Sequence, residues 1–128
     1  MKIVLPIYWI QEFKTKNNKN WLVGMNNYRN WHHRVSHQFK LDFEELVYNQ
    51  IPEDANKINL FETHYKVYYR RKCDASNIVP LIEKVTLDAL NKKDIIEDDN
   101  VEFHLASSWV VAGQDKDNPR CEVTIIEI

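Results

Sequence analysis

The repeat of the apolar residues changes abruptly at the centre of this chain. From Leu60 to Arg71 the residues alternate, with Phe61, Thr63, Tyr65, Val67 and Tyr69 on one face, which is the period of a half-buried strand. A few residues on, Ile78, Leu81, Ile82, Val85 and Ala89 recur at the spacing of a helix with one apolar stripe. Between them Asp74-Ala75-Ser76-Asn77 turns the chain, and Ser76 or Asn77 can cap the helix, with Pro80 tolerated in its first turn. A strand that feeds directly into an amphipathic helix restricts the chain to folds in which helices cover a sheet.

The flanking segments extend that pattern. Residues Lys2–Phe13 read as a strand, Thr15–Asn20 as a polar turn and Trp21–Met25 as a short returning strand. Asn26–Asn30 reads as a loop, followed by a helix from Trp31 to Gln50 with Val35, Phe39, Phe43, Leu46 and Val47 at helical spacing. Beyond the central helix come a charged turn at Lys92–Asn100, a strand at Val101–Ala112, a hairpin loop at Gly113–Pro119 and a final strand at Arg120–Ile128. The expected architecture is α/β (α+β), a mixed sheet with two main helices, in a single domain spanning residues 1–128.

Composition removes several function classes. The chain has only two glycines, Gly24 and Gly113, so it carries neither a P-loop nor a dinucleotide-binding turn. Cys73 and Cys121 match no zinc spacing and are expected to be reduced thiols of a cytoplasmic protein. The apolar start at Ile3–Ile10 contains Pro6 and has no cleavage site of small residues, so no signal peptide is expected. No apolar run is long enough to cross a membrane. The formal net charge of −2 does not advertise nucleic-acid binding, but its distribution is uneven. Acids gather at Glu97-Asp98-Asp99 and Glu102, and bases at Lys14, Lys16, Lys19, Arg29–Lys40 and Arg70-Arg71-Lys72.

On a helical wheel Asn77, Leu81, Lys84 and Asp88 fall on one line beside the apolar stripe. Asp74 stands at the helix entrance, and Asp98-Asp99 follows the helix on the approach to the next strand. If that strand pairs beside Leu60–Arg71, the acids before and after the helix can meet at one end of the sheet. Such carboxylates suit magnesium, a hard cation that keeps several waters and can polarise a phosphate. Packed together they repel, which raises their average pKa until a cation neutralises them. A nearby lysine could stabilise charge on phosphate oxygens. The plainer account is that Asp74 only favours a helix N-terminus, that Asp98-Asp99 is a solvated turn, and that Lys84 and Asp88 form an exposed pair one turn apart.

His33 and His37 have the one-turn spacing of a helical zinc pair, without a third ligand, so His32, His33, His37 and His64 are read as surface or DNA-facing groups. Among the four tryptophans, Trp31 is the one expected to contact DNA, by stacking on unpaired bases. Asp115-Lys116-Asp117-Asn118 lacks the glycine and terminal glutamate of a calcium loop and reads as a turn.

The stretch Asp74-Ala75-Ser76-Asn77, Lys84, Asp88-Ala89-Leu90 and Asp98-Asp99 resembles the core of the RusA family of crossover-junction endodeoxyribonucleases. The segment Met25–His32 is similar to that family's asparagine-rich N-terminal loop. The resemblance implies a small homodimeric, RusA-like enzyme, encoded by a phage or prophage and acting in the cytoplasm of a bacterial host. Such an enzyme resolves Holliday junctions in DNA recombination and repair by paired phosphodiester hydrolysis, with Mg2+ as cofactor and Mn2+ able to substitute. Its partner is branched DNA, a four-way junction, and not a membrane.

Carried over by residue, the resemblance makes Asp74, Lys84, Asp98 and Asp99 catalytic. Asp74 and Asp99 hold the metal, Asp98 assists as a ligand or orients water, and Lys84 stabilises charge. It places Asn26, Arg29, His32, Arg70, Arg71, Lys72 and Asn77 against DNA. Ser76 stands where the family pattern has a second aspartate, which leaves one metal ligand fewer. The stretch from Asn77 to Asp88 is longer than the pattern by about one helical turn, which preserves the helix face. Two other readings stay open: a DNA-junction-binding protein of the same fold with weakened catalysis, and an interaction protein without a nucleic-acid role.

Overall fold

The computed structural model describes residues 1–128. Its first strand, β1 (Lys2–Pro6), turns Ile3 and Leu5 inward. Pro6 cannot donate to a sheet ladder, and pairing to β1's neighbour stops there. The expected single strand Lys2–Phe13 is therefore two. After Ile7 the chain enters β2 (Tyr8–Gln11), which pairs only with β3 (Lys19–Leu22) in a separate two-stranded sheet, Trp9 opposite Trp21. The returning strand expected at Trp21–Met25 is thus present but starts two residues earlier, inside the expected polar turn, and ends at Leu22.

Asn26–Asn30, expected as a loop, lies in a short helix, α1 (Met25–Asn30), with Gly24 at its N-cap. The main helix α2 (His33–Tyr48) buries Phe39, Phe43 and Val47 one turn apart. Strand β4 (Phe61–Tyr69) buries Phe61, Thr63, Tyr65 and Val67, the face that the alternation indicated. Helix α3 (Ala75–Lys92) follows, then β5 (His104–Gln114) and β6 (Arg120–Glu127). The helix begins earlier than a Ser76 or Asn77 cap would allow. Asp74 is its N-cap residue but makes no side-chain cap bond, and Pro80 lies inside the helix. Proline has no N–H to offer the carbonyl one turn before it, so the Ser76 carbonyl lacks that helical donor.

The four-stranded sheet has the order β1-β6-β4-β5. It is mixed: β4 pairs parallel with β5 and antiparallel with β6. Gly113–Pro119 is accordingly not a hairpin loop, because β4 lies between the strands it joins. The segment crosses the end of β4, where Arg70 Nε donates to the Lys116 carbonyl (3.1 Å) and Arg120 pairs with Asp115 (2.8 Å). Both long helices pack on one face of the sheet over a single cluster of 25 buried apolar residues. No helix is long and apolar enough to cross a membrane. Cys73 and Cys121 are free, and burial pushes the Cys121 thiol up to about 12.

Candidate functional site

The start of α3 and the whole of α1 form the walls of a cleft of about 300 Å³ lined by Asn26, Arg29, Asp74, Ser76 and Asn77, with Met25 and Pro80. Two segments far apart in sequence are locked together there. The Asn77 side-chain carbonyl accepts the backbone N–H of Asn26 at 2.9 Å. Asn77 lies so close to Gly24 that a Cβ at that position would stand 2.8 Å from its Cγ. Asn77 therefore fixes α1 against α3, and Gly24 leaves room for it. The rarity of glycine in this chain was the one sequence signal of that contact.

Asp74 is exposed at the cleft and is the only carboxylate lining it. Arg29 brings a cation to the same space, and the exposed Arg71 and Lys72 precede Asp74 directly. Arg70 is committed elsewhere: its guanidinium lies over the Tyr8 ring at 4.9 Å while holding the Lys116 carbonyl. His32 is not free either, since its ring caps α2 by accepting the Arg34 N–H at 3.2 Å and lies tilted against the His33 ring at 4.1 Å. Trp31 packs edge-on against Trp9 (5.3 Å) and Trp21 (5.6 Å) and beside Phe39 (5.1 Å), so it is a packing residue and not a surface for bases. A larger cleft beside β2 is lined by Trp9, Arg34, Gln38 and Asp42, and there Asp42 already accepts bonds from Trp9 (2.8 Å) and Gln38 (2.8 Å).

The expected meeting of the two acidic groups does not occur within one chain. β5 runs parallel to β4, so it starts at the end of the sheet opposite to the one where β4 delivers Asp74. Helix α3, 18 residues or about 27 Å long, lies between Asp74 at its start and the Asp98-Asp99 turn, whose Asp99 carboxyl feels Asp88 near the helix's far end. An antiparallel partner strand would have returned the acids to one end, but the crossover helix imposes the parallel arrangement. No three histidine, cysteine or acidic side chains converge to hold a metal ion within the chain. Magnesium therefore does not fit the residues of a single copy.

At the far end of α3, Asp98 accepts the Asp99 backbone N–H (2.7 Å) and an Asn100 amide bond (3.1 Å). Desolvation, together with the adjacent Asp98, raises the Asp99 carboxyl above its ordinary pKa. Lys84 lies mid-helix, ten residues or about 15 Å beyond Asp74, and pairs with Asp88 at 3.4 Å. It serves neither acidic group directly in one copy, and its pair with Asp88 is the exposed one-turn pair of the plainer account.

A polar network next to β5 had no signal in the sequence, because it is made by tertiary packing. The Ser107 hydroxyl donates to Glu83 (2.8 Å), and Thr63 and His104 share a hydrogen bond (2.8 Å). No protein-family model matches the chain, and no curated protein matches its sequence.

Proposed function

We propose that this protein is a structure-specific endodeoxyribonuclease that hydrolyses DNA phosphodiesters at branched, four-way junctions. The observation that carries the reading is the Asp74 cleft. It sets one carboxylate among Arg29, Asn26 and Asn77, with Arg71 and Lys72 beside it. Arginine, lysine and amide N–H groups grip phosphate and position the backbone. A lone carboxylate among them is placed to act on a water or a scissile phosphate and not to grip the anion itself. The resemblance to junction-resolving enzymes supplies the substrate and the requirement for magnesium, and it rests on the same residues.

The second reading, a junction binder with weakened catalysis, is favoured by Ser76, which brings a hydroxyl where the family pattern has a carboxylate. Both readings expect specific binding. A labelled four-way junction and a linear duplex of equal length, titrated with the protein in a chelator, test this. Expected is preference for the junction, with affinity falling steeply as salt rises, because phosphate contacts release counterions. Equal, weak and salt-insensitive binding to both would point to an interaction protein without a nucleic-acid role.

A further inference from the structure

Helices cover only one face of the four-stranded sheet, and a group of polar side chains meets on the other. Glu62, His64 and Lys66 alternate along β4 with the buried Phe61, Thr63, Tyr65 and Val67, so they lie on the uncovered face. The neighbouring β5 pairs Ala106 with Glu62, Ser108 with His64 and Val110 with Lys66, which sets these residues on the same face. Glu62 and His64 are half-buried, and Ser108 is exposed. None of them lines the Asp74 cleft.

Three of these residues form a chain of hydrogen bonds. His64 Nε2 lies 3.1 Å from a Glu62 carboxylate oxygen, and His64 Nδ1 is hydrogen-bonded to the Ser108 hydroxyl. With Glu62 ionised, one neutral tautomer of the ring satisfies both contacts. A carboxylate only accepts, so Nε2 carries the proton and donates it. Nδ1 then keeps its lone pair, and the Ser108 hydroxyl donates to it. The serine proton therefore already points at a base, and that base is oriented from behind by a carboxylate. Nucleophile, base and orienting acid in this order activate a hydroxyl for attack on a carbonyl carbon. The ring is reversed relative to the serine-protease arrangement, with Nδ1 toward the hydroxyl, but either ring nitrogen can accept a proton.

The surroundings supply what such a hydroxyl needs. Lys66 is exposed on the same face, one step along β4 from His64. Its neighbour across the sheet, Glu122, is already paired with Lys2 (3.0 Å) and Arg120 (2.9 Å), which leaves the Lys66 ammonium free to face a developing oxyanion. β5 is the outermost strand, so every second N–H along it has no sheet partner. An unpaired N–H therefore lies at Ser108 or at both of its neighbours. Ala106 and Val110 flank Ser108 on the open face, and Ile126 stands across β4 from Ala106. Val110 and Ile126 are well exposed and give a shallow apolar strip that suits a short acyl chain.

We propose that Glu62, His64 and Ser108 form a second reactive centre, on the open face of the sheet, which hydrolyses esters of short-chain carboxylic acids. It is independent of the nuclease reading. Ser108 Oγ bonds to the ester carbonyl carbon while its proton passes to His64 Nδ1. The oxyanion so formed is faced by Lys66. The bond from carbon to the alcohol oxygen breaks, and the alcohol leaves with the proton from His64. Water then attacks the acyl-serine and gives a proton to His64. The acyl–Oγ bond breaks, the carboxylic acid departs and Ser108 regains its proton from His64. Glu62 stays ionised throughout and balances the imidazolium, so it is a positioning residue, whereas Ser108 and His64 meet the reacting atoms.

The test compares the wild-type protein with Ser108→Ala, both shown to be folded by circular dichroism. Each is treated with a fluorophosphonate probe, and intact mass is measured. One adduct on the wild type, mapped to Ser108 by peptide sequencing, is expected, with none on Ser108→Ala. An unlabelled wild type, or equal labelling of the two, overturns the proposal. Hydrolysis of p-nitrophenyl acetate is followed on the same preparations. The chain has five histidines whose imidazoles can attack this ester, and Ser108→Ala measures that background. The wild type should exceed it by at least about 100-fold, the scale of a positioned general base. Equal rates overturn the centre. Glu62→Gln should lower kcat and leave KM unchanged, because it disturbs the tautomer and not the seat of the ester. An unchanged kcat would remove Glu62 from the chain and overturn its assigned role.

Discussion

Asp74→Asn should lower the rate of four-way junction cleavage by at least about 100-fold, the scale seen when one group aimed at transition-state charge is removed. It should leave junction binding intact or slightly tighter. The substitution keeps the shape of the side chain and removes only its charge. Asp74 is exposed at the N-cap and makes no cap hydrogen bond, so the fold does not depend on it. Its carboxylate is the only one in the cleft, and no neighbour in the same chain can take its place. On the nuclease reading a phosphate enters that cleft, and a neutral amide opposes its negative charge less than a carboxylate does. Single-turnover cleavage and gel-shift affinity, measured on the same preparation, separate the two effects. Equal loss of binding and cleavage would mean that Asp74 only shapes the surface.

Phe39→Ala should destabilise the protein by about 3–5 kcal/mol, the range for removing a buried phenylalanine from a packed core. Phe39 is fully buried and joins three elements. It lies 5.5 Å from Trp9 on β2, 6.4 Å from Tyr28 on α1 and 4.5 Å from Phe43 on its own helix. Trp31 closes the same cluster at 5.1 Å. The cavity left behind loosens the seat of α1, which carries Asn26 and Arg29 into the cleft. Urea unfolding of the two proteins measures the loss, and junction affinity of the folded variant should fall with it. A change below about 1 kcal/mol would mean that the aromatic cluster readjusts around the gap.

The elements with a strong repeat were legible in the sequence. The β4 alternation named the buried face from Phe61 to Val67, with Tyr69 only half-buried at its end, and α2 and α3 followed from their apolar stripes. What the repeat could not give was partnership. Nothing local in Gly113–Pro119 distinguishes a hairpin from a connection that crosses β4, and nothing in Asp98-Asp99 reveals the direction of the strand that follows. That direction decided the fate of the acidic pair. Pro6 did carry a signal for the break between β1 and β2, but the β-branched run around it dominates a reading by composition. The cleft was half legible: Asp74, Asn26, Arg29 and Asn77 were all named, yet the Gly24–Asn77 contact that joins their segments is visible only in three dimensions. Trp31 was misplaced because an aromatic residue at a helix entrance looks the same in sequence whether it faces solvent or the core.

Cleavage of a synthetic four-way junction by the wild-type protein, in magnesium and in a chelator, tests the central claim most directly. Paired nicks near the branch point are expected in magnesium, with none in the chelator and none from Asp74→Asn in either. An intact junction in both conditions, bound by the folded protein, would contradict the nuclease assignment. Cleavage that persists in Asp74→Asn would move the chemistry away from the cleft at the start of α3.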